Sequence, residues 1–251
     1  MSHQHLGFLQ NNRRLTSLVV GVVFVMTAIP AFAEFKPRDR KPASGYSRAG
    51  GSRGCSNSGG IPLTQLAPET FIGKTTSTRP MLAWYMSSSQ NVRFRLAEFD
   101  SATIPKQIGE VKEIPTIIGI NKLKLPPDYP KLTVGKTYLW QITIDCKEDK
   151  IIRRAEFTVI NPESLAKKQL NSISESVNYY AENDLWYEAL EEALKGSNNG
   201  KLGQTGATLV KNLAESEAEN IADPKFTGTD IDKKNAQQRI EYLQKIAAIA
   251  K

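Results

Sequence analysis

Histidine is almost missing: the 251-residue chain has two, His3 and His5, both at its extreme N-terminus. If that end is removed, as argued next, no imidazole remains. Histidine general bases, Ser-His or Cys-His nucleophile pairs and histidine metal ligands then leave the available chemistry. Cysteine is as scarce, with Cys55 and Cys146 alone, too far apart for a C-x-x-C redox or zinc arrangement. No cofactor motif stands out and none is expected, nor is a metal site or a set of catalytic residues.

What is present begins with a targeting pattern. Arg13 and Arg14 precede an apolar run from Leu15 to Ile29, and Pro30-Ala31-Phe32-Ala33 places small residues at the two recognised positions. That is the layout of a secretory signal peptide over 1–33, with cleavage expected after Ala33 and delivery to the periplasm or the exterior. An uncleaved anchor is the alternative, but about fifteen apolar residues fall short of the ~20 a spanning helix needs. The context of Arg13-Arg14 is poor for twin-arginine export, and no cysteine follows the run to carry a lipid. Removal takes two arginines and no acid, so the net charge falls from +7 to +5. So mild an excess implies little about nucleic acid, and no nucleic-acid partner is expected. In an oxidising compartment an even cysteine count favours a Cys55–Cys146 disulfide over two buried thiols or a redox pair. Closing about ninety residues is worth roughly 4 kcal/mol in the chain-entropy picture.

Residues 34–60 are rich in Lys, Arg, Pro, Gly and Ser, from Lys36-Pro37-Arg38 to Ser58-Gly59-Gly60. With so little apolar surface they read as a flexible basic linker, a solvated spacer or a contact for an acidic polymer or membrane surface. Residues 61–160 carry short β-branched and aromatic runs between Pro, Gly and Asn clusters, predicting a β-sandwich. Strands are expected at Leu63 to Ala67, Lys74 to Ser77, Met81 to Met86, Val92 to Asp100, Glu110 to Ile114, Thr116 to Leu123, Thr137 to Cys146 and Ile152 to Val159. The clearest is Thr137 to Cys146, with Tyr138, Trp140, Ile142 and Ile144 on one face. Phe99 breaks the alternation of Val92, Phe94 and Leu96, which suggests a bulge. Tyr138, shortly after Gly135, resembles the tyrosine corner of immunoglobulin and fibronectin type III sandwiches.

After Pro162 the period changes to helical, predicting helices at Glu163 to Glu182, Leu185 to Lys195, Ala207 to Ala222 and Asp232 to Ala250 within 161–251. Tyr180, Trp186 and Ala189 match the helix contact of a tetratricopeptide repeat, but no second copy follows. The expected fold is therefore α+β, an immunoglobulin/fibronectin-like antiparallel sandwich followed by a helical region with a tetratricopeptide-like hairpin.

Gly51-Ser-Arg-Gly-Cys55, Pro62-Leu63-Thr64, Arg79-Pro80 with Leu82-Ala83-Trp84-Tyr85, the Gly135 to Cys146 strand and Tyr180 to Leu190 together resemble the cyanobacterial domain-of-unknown-function 928 family. The resemblance covers about Gly51 to Leu194. It implies an exported protein of unassigned activity and brings no catalytic or binding residue with it.

Three functional readings follow. One is a non-enzymatic envelope module that presents Tyr180, Trp186 and Tyr187 of its hairpin to another envelope protein, because a lone repeat cannot bury its own apolar face. The stripes of the two C-terminal helices either complete a small bundle with that hairpin or form a groove for a partner. A second reading is a carbohydrate- or cell-wall-binding module that stacks sugars on Trp84 or Tyr85, although tryptophans in strands more often form core. The third is a hydrolase using carboxylates alone, with Asp145, Glu148 and Asp149 as the candidate cluster, where a charged hairpin turn is the simpler reading.

Overall fold

Eight strands and five helices occur in the described part of the computed structural model, which comprises Met1 and residues 34–48, 60–100, 104–146 and 150–250. The chain divides into the units Met1–Ala31 and Phe32–Lys251, and all the described elements belong to the second. The fold is α+β. β1 (Thr64–Gln65), β3 (Met81–Met86) and β6 (Gly119–Lys124) form an antiparallel sheet in the order β1-β3-β6. β2 (Gly73–Thr75), β4 (Asn91–Phe99), β5 (Pro105–Pro115), β7 (Thr137–Asp145) and β8 (Lys150–Val159) form another in the order β2-β8-β7-β4-β5. In it β2 runs parallel to β8 and the other pairs are antiparallel.

Period-two alternation explains how the larger sheet faces the core. Val92, Phe94 and Leu96 of β4, Tyr138, Trp140, Ile142 and Ile144 of β7, and Ala155, Phe157 and Val159 of β8 are all buried, and with Leu82 and Trp84 of β3 they make one core. Burying a side chain of the larger kind is worth about 1.5–3 kcal/mol. A one-residue slip would turn the whole set outward, so the pattern itself pins the register. The Tyr138 hydroxyl accepts a hydrogen bond from the Thr133 backbone N–H at 2.8 Å, tying the start of β7 to the loop before it.

The irregularity expected near Phe99 lies elsewhere. Phe94 pairs with Lys112 but Leu96 with Ile108, so β5 carries the surplus residues and begins at Pro105 instead of Glu110. Gly109 adopts φ +66° inside this bulge, and a Cβ there would lie 2.5 Å from the ring of Tyr129. That ring is buried and its hydroxyl donates to the Glu110 carbonyl; burial pushes its pKa up to about 12. Gly109→Ala should therefore cost about 2–3 kcal/mol, read from the urea midpoint, through both conformation and overlap. Gly135→Ala, at φ +85° but with open space around it, should cost only about 1 kcal/mol.

Four helices follow a short first one: α1 (Gly45–Arg48), α2 (Ile173–Glu182), α3 (Trp186–Ala193), α4 (Gly203–Ala222) and α5 (Asp230–Ile249). α2 starts ten residues later than its apolar spacing suggests. Ser172 caps it by accepting from the Glu175 N–H at 3.1 Å, while Pro162–Ser164 makes only a single 3-10 turn. Asp184 links α2 to α3 at φ 62°, a conformation Asp tolerates better than most residues. α3 enters the opening beside β2 and β3, α4 packs on α3, and α5 packs on α4. The stripes Leu209, Val210 and Leu213 of α4 and Ile240, Leu243 and Ile246 of α5 are buried within this assembly. They complete a bundle and leave no open groove along those residues.

Residues 34–48 correct the flexible-linker expectation. Phe35 is 1% exposed, its ring is tilted against Trp186 with centroids 4.9 Å apart, and its carbonyl accepts from Ser216 Oγ. Lys36 and Arg40 reach the Glu219 carboxylate at 2.8 and 2.7 Å, and the Ile72 N–H donates to the Lys41 carbonyl at 2.9 Å. The segment is a docked strap. Average composition missed it because one phenylalanine, one alanine and backbone pairing do the anchoring. Its end crosses the outer face of the larger sheet, where Tyr46 of α1 meets Phe99 edge-on at 6.4 Å. Ala97, Phe99 and Leu139 point outward yet are buried there, so Phe99 marks the covered patch of that face.

Candidate functional site

The aromatic residues singled out in the sequence are core. Trp84 is 1% and Tyr85 8% exposed, because β3 is covered on both faces, so neither offers a ring to a sugar. Trp186 and Tyr187 are buried as well and Tyr180 is half-buried. Trp186 Nε1 donates to the Leu66 carbonyl at 2.8 Å, and the Tyr187 hydroxyl accepts from Trp140 Nε1 at 3.2 Å. Burial drives the Tyr187 pKa upward. The apolar face of the hairpin is spent inside the molecule, so these residues are not a partner surface.

Glu188, next in α3, fastens the same junction. One of its carboxylate oxygens accepts from Thr75 Oγ1 and the Thr76 N–H, both at 2.7 Å, and from the Ser77 N–H at 3.0 Å. Of the proposed carboxylate cluster, Asp145 is ion-paired to Arg93 at 2.7 Å. Glu148 and Asp149 lie outside the described residues. Cys146 sits half-buried at the edge of the core, and Cys55 also lies outside the described residues.

A buried charge cluster was not anticipated. Arg239 of α5 is 8% exposed and pairs with Glu217 of α4, which is fully buried, and with Glu69 at 2.8 Å. It also donates to the carbonyls of Gln65 and Ala67, while Glu217 accepts from the Glu69 N–H at 2.6 Å. Burial pushes Glu69 up to about 7 against the opposing pull of Arg239, and raises Glu217 for the same reason. The cluster ties both C-terminal helices to the segment after β1. Its groups are used up in that task, which makes it a fastening.

A polar surface, partly covered by the strap, lies on the outer face of the larger sheet. A cleft of about 360 Å³ under the strap is lined by Lys41, Ser44, Phe99, Lys136 and Glu156, among others. Glu156 is 1% exposed; both its oxygens accept from the Ser44 N–H at 3.1 Å and one also accepts from the Ser44 hydroxyl, so the carboxylate holds the strap. Lys136 meets Glu98 at 3.3 Å. Beyond the cleft, Arg95, Gln141 and Arg154 stand side by side on β4, β7 and β8. Arg154 Nε donates to Gln141 Oε1 at 2.7 Å and its Nη1 to the Tyr46 carbonyl at 3.3 Å. Burial, then the nearby Arg95, lowers the Arg154 pKa from its ordinary value. Among the described residues neither Arg95 nor Arg154 has a carboxylate at ion-pair distance. Such a face can bind through charge and hydrogen bonds, and no three described His, Cys, Asp or Glu residues are grouped to hold a metal ion.

Arg93 and Arg95 alternate with the inward residues of β4, which signals outward charge. That Arg154 joins Arg95 depends on strand order, which one strand read alone does not reveal.

Searches of curated proteins and of solved structures returned no match. A family model does match, over residues 48–224, which takes in all eight strands and α2 to α4 and leaves most of the strap and α5 outside. Because that span is well over half of the chain, the protein belongs to the family described as Domain of Unknown Function (DUF928).

Proposed function

We propose that the protein is an exported, non-enzymatic binding module of the cell envelope. The observation that carries this reading is the pair Arg95 and Arg154 on the outer face of the larger sheet, neither with a carboxylate at ion-pair distance among the described residues, while the helical half is spent on covering the core. Two features support an immunoglobulin-like sandwich for the β region. One is the order β1-β3-β6 beside β2-β8-β7-β4-β5, with β2 parallel to β8. The other is the tyrosine-corner hydrogen bond of Tyr138. The buried contact of Trp186 and Ala189 supports a tetratricopeptide-like hairpin whose partner is its own domain. A Cys55–Cys146 bridge and a cyanobacterial source complete the proposal, the first resting on compartment and cysteine count, the second on the motif resemblance. A protein partner in the envelope stays as the second reading, with the exposed Arg95 as its point of contact.

Export has a direct test. Cell fractionation followed by N-terminal sequencing should place the protein outside the cytoplasm with Glu34 as its first residue. A cytoplasmic chain that still begins at Met1 would overturn the reading.

A further inference from the structure

We propose that the outer face of the larger sheet binds an acidic glycan, a polysaccharide bearing carboxylate groups, which Arg95 and Arg154 engage beside the ring of Tyr46. The proposal rests on the reading of the protein as an envelope binding module and names its ligand class.

Pre-organisation is the first argument. Arg154 is held from two sides, by Gln141 Oε1 at 2.7 Å and by the Tyr46 carbonyl at 3.3 Å. Gln141 is itself held by a bond from its Nε2 to Thr143 Oγ1 at 3.0 Å. The side chain is half-buried, which leaves part of the guanidinium facing outward in a fixed direction. A planar guanidinium so fixed matches a carboxylate in a two-pronged contact and loses little rotamer freedom on binding. Arg95 is exposed one strand away from Gln141 and has no described ion-pair partner.

Charge balance is the second. On the same face Arg93 is ion-paired to Asp145, Glu113 stands across from Arg93, and the Glu156 carboxylate is held by the strap at Ser44. The two arginines remain without an acid among the described residues. A repeating anion offers what is missing.

Shape and texture select a glycan over a lipid surface. The outward neighbours of the arginines are Gln141 and Ile152, both half-buried, and the buried Thr143, and not a cluster of exposed aliphatic side chains such as enters a headgroup boundary. Tyr46, 41% exposed, offers a ring beside them, and the cleft lined by Lys41 and Phe99 continues the track past it.

The test is retention of the purified protein on immobilised polygalacturonate, with neutral dextran as the blank and phosphatidylglycerol vesicles as a separate arm. The wild-type chain should bind polygalacturonate in a salt-sensitive way and ignore dextran. Each of Arg95→Glu and Arg154→Glu should weaken binding about tenfold or more, the loss of one charge-assisted contact. Lys233→Glu/Lys234→Glu, an equal or larger charge change at exposed α5 sites, should leave it unchanged. Unaltered melting of the Arg95→Glu protein, whose side chain makes no described hydrogen bond, guards against misfolding. Equal loss in the α5 variant would reduce the binding to net charge and sink the proposal. Arginine-dependent binding to the vesicles but not to the glycan would sink it in favour of lipid. Retention is measured in solution, so failure of the export reading would appear in the fractionation and leave this result intact.

Discussion

Arg239→Met should cost the folded state about 3–5 kcal/mol at pH 8, measured as a fall in the urea midpoint, because it leaves two buried carboxylates without their counter-charge. Glu217 is fully buried and Glu69 sits beside it, and Arg239 is the cation that holds both while donating to the Gln65 and Ala67 carbonyls. The loss should shrink on acidification. A glutamate ordinarily titrates at 4.5, whereas burial pushes Glu69 up to about 7 and raises Glu217. The folded state therefore binds protons more readily than the unfolded chain, so the stability linked to this protonation is full below pH 4.5 and is lost as pH rises through about 7. For Glu69 the difference is on the order of 3 kcal/mol. In the wild-type protein the urea midpoint should fall across this window, and Glu69→Gln should flatten the slope. A flat wild-type profile together with a harmless Arg239→Met would show that the cluster is not the fastening described.

The second large effect concerns the hairpin. Trp186→Ala should destabilise by about 3–5 kcal/mol, since it empties a core site and leaves its partners unmatched. Trp186 touches Phe35 of the strap and donates to Leu66 after β1, so one truncation loosens three segments at once. Tyr180→Ala, at a half-buried position, should cost about 1–2 kcal/mol. Hydrogen exchange should show strap, hairpin and β1 losing protection together in the tryptophan variant. Were these aromatics a docking surface, Trp186→Ala would leave the midpoint unchanged. That outcome would restore the hairpin as a partner site.

Local patterns carried the strands well. Met81–Met86 and the start of β7 fall where alternation and the preceding Gly135 put them, since those signals are written in neighbouring residues. Periodicity also found the apolar stripes of α4 and α5, but it records that a face is apolar and not what covers it. That is why Trp186 and Tyr187 read as a partner surface. The start of α2 is set by Ser172, whose side chain caps the Glu175 N–H, and the apolar spacing further upstream forms no helix. The charged features were the least visible. Arg239, Glu217 and Glu69 come together from three distant stretches, and Arg95 meets Arg154 only through the strand order of the sheet.

The strap sets the order in which the molecule can be finished. Its contacts from Phe35, Lys36 and Arg40 to α4 span 181, 183 and 179 residues. The chain emerges from its N-terminus, so the strap is made early while its receptor, α4, is made near the end. Contacts of such sequence separation close slowly and late. Both sheets and the α2–α3 hairpin can form while Phe35 still lacks its full seat, and the arrival of α4 then locks the first residues of the unit against some of the last. The strap thus stays unseated for most of synthesis, and its first contacts to α4 become the last closure of the domain.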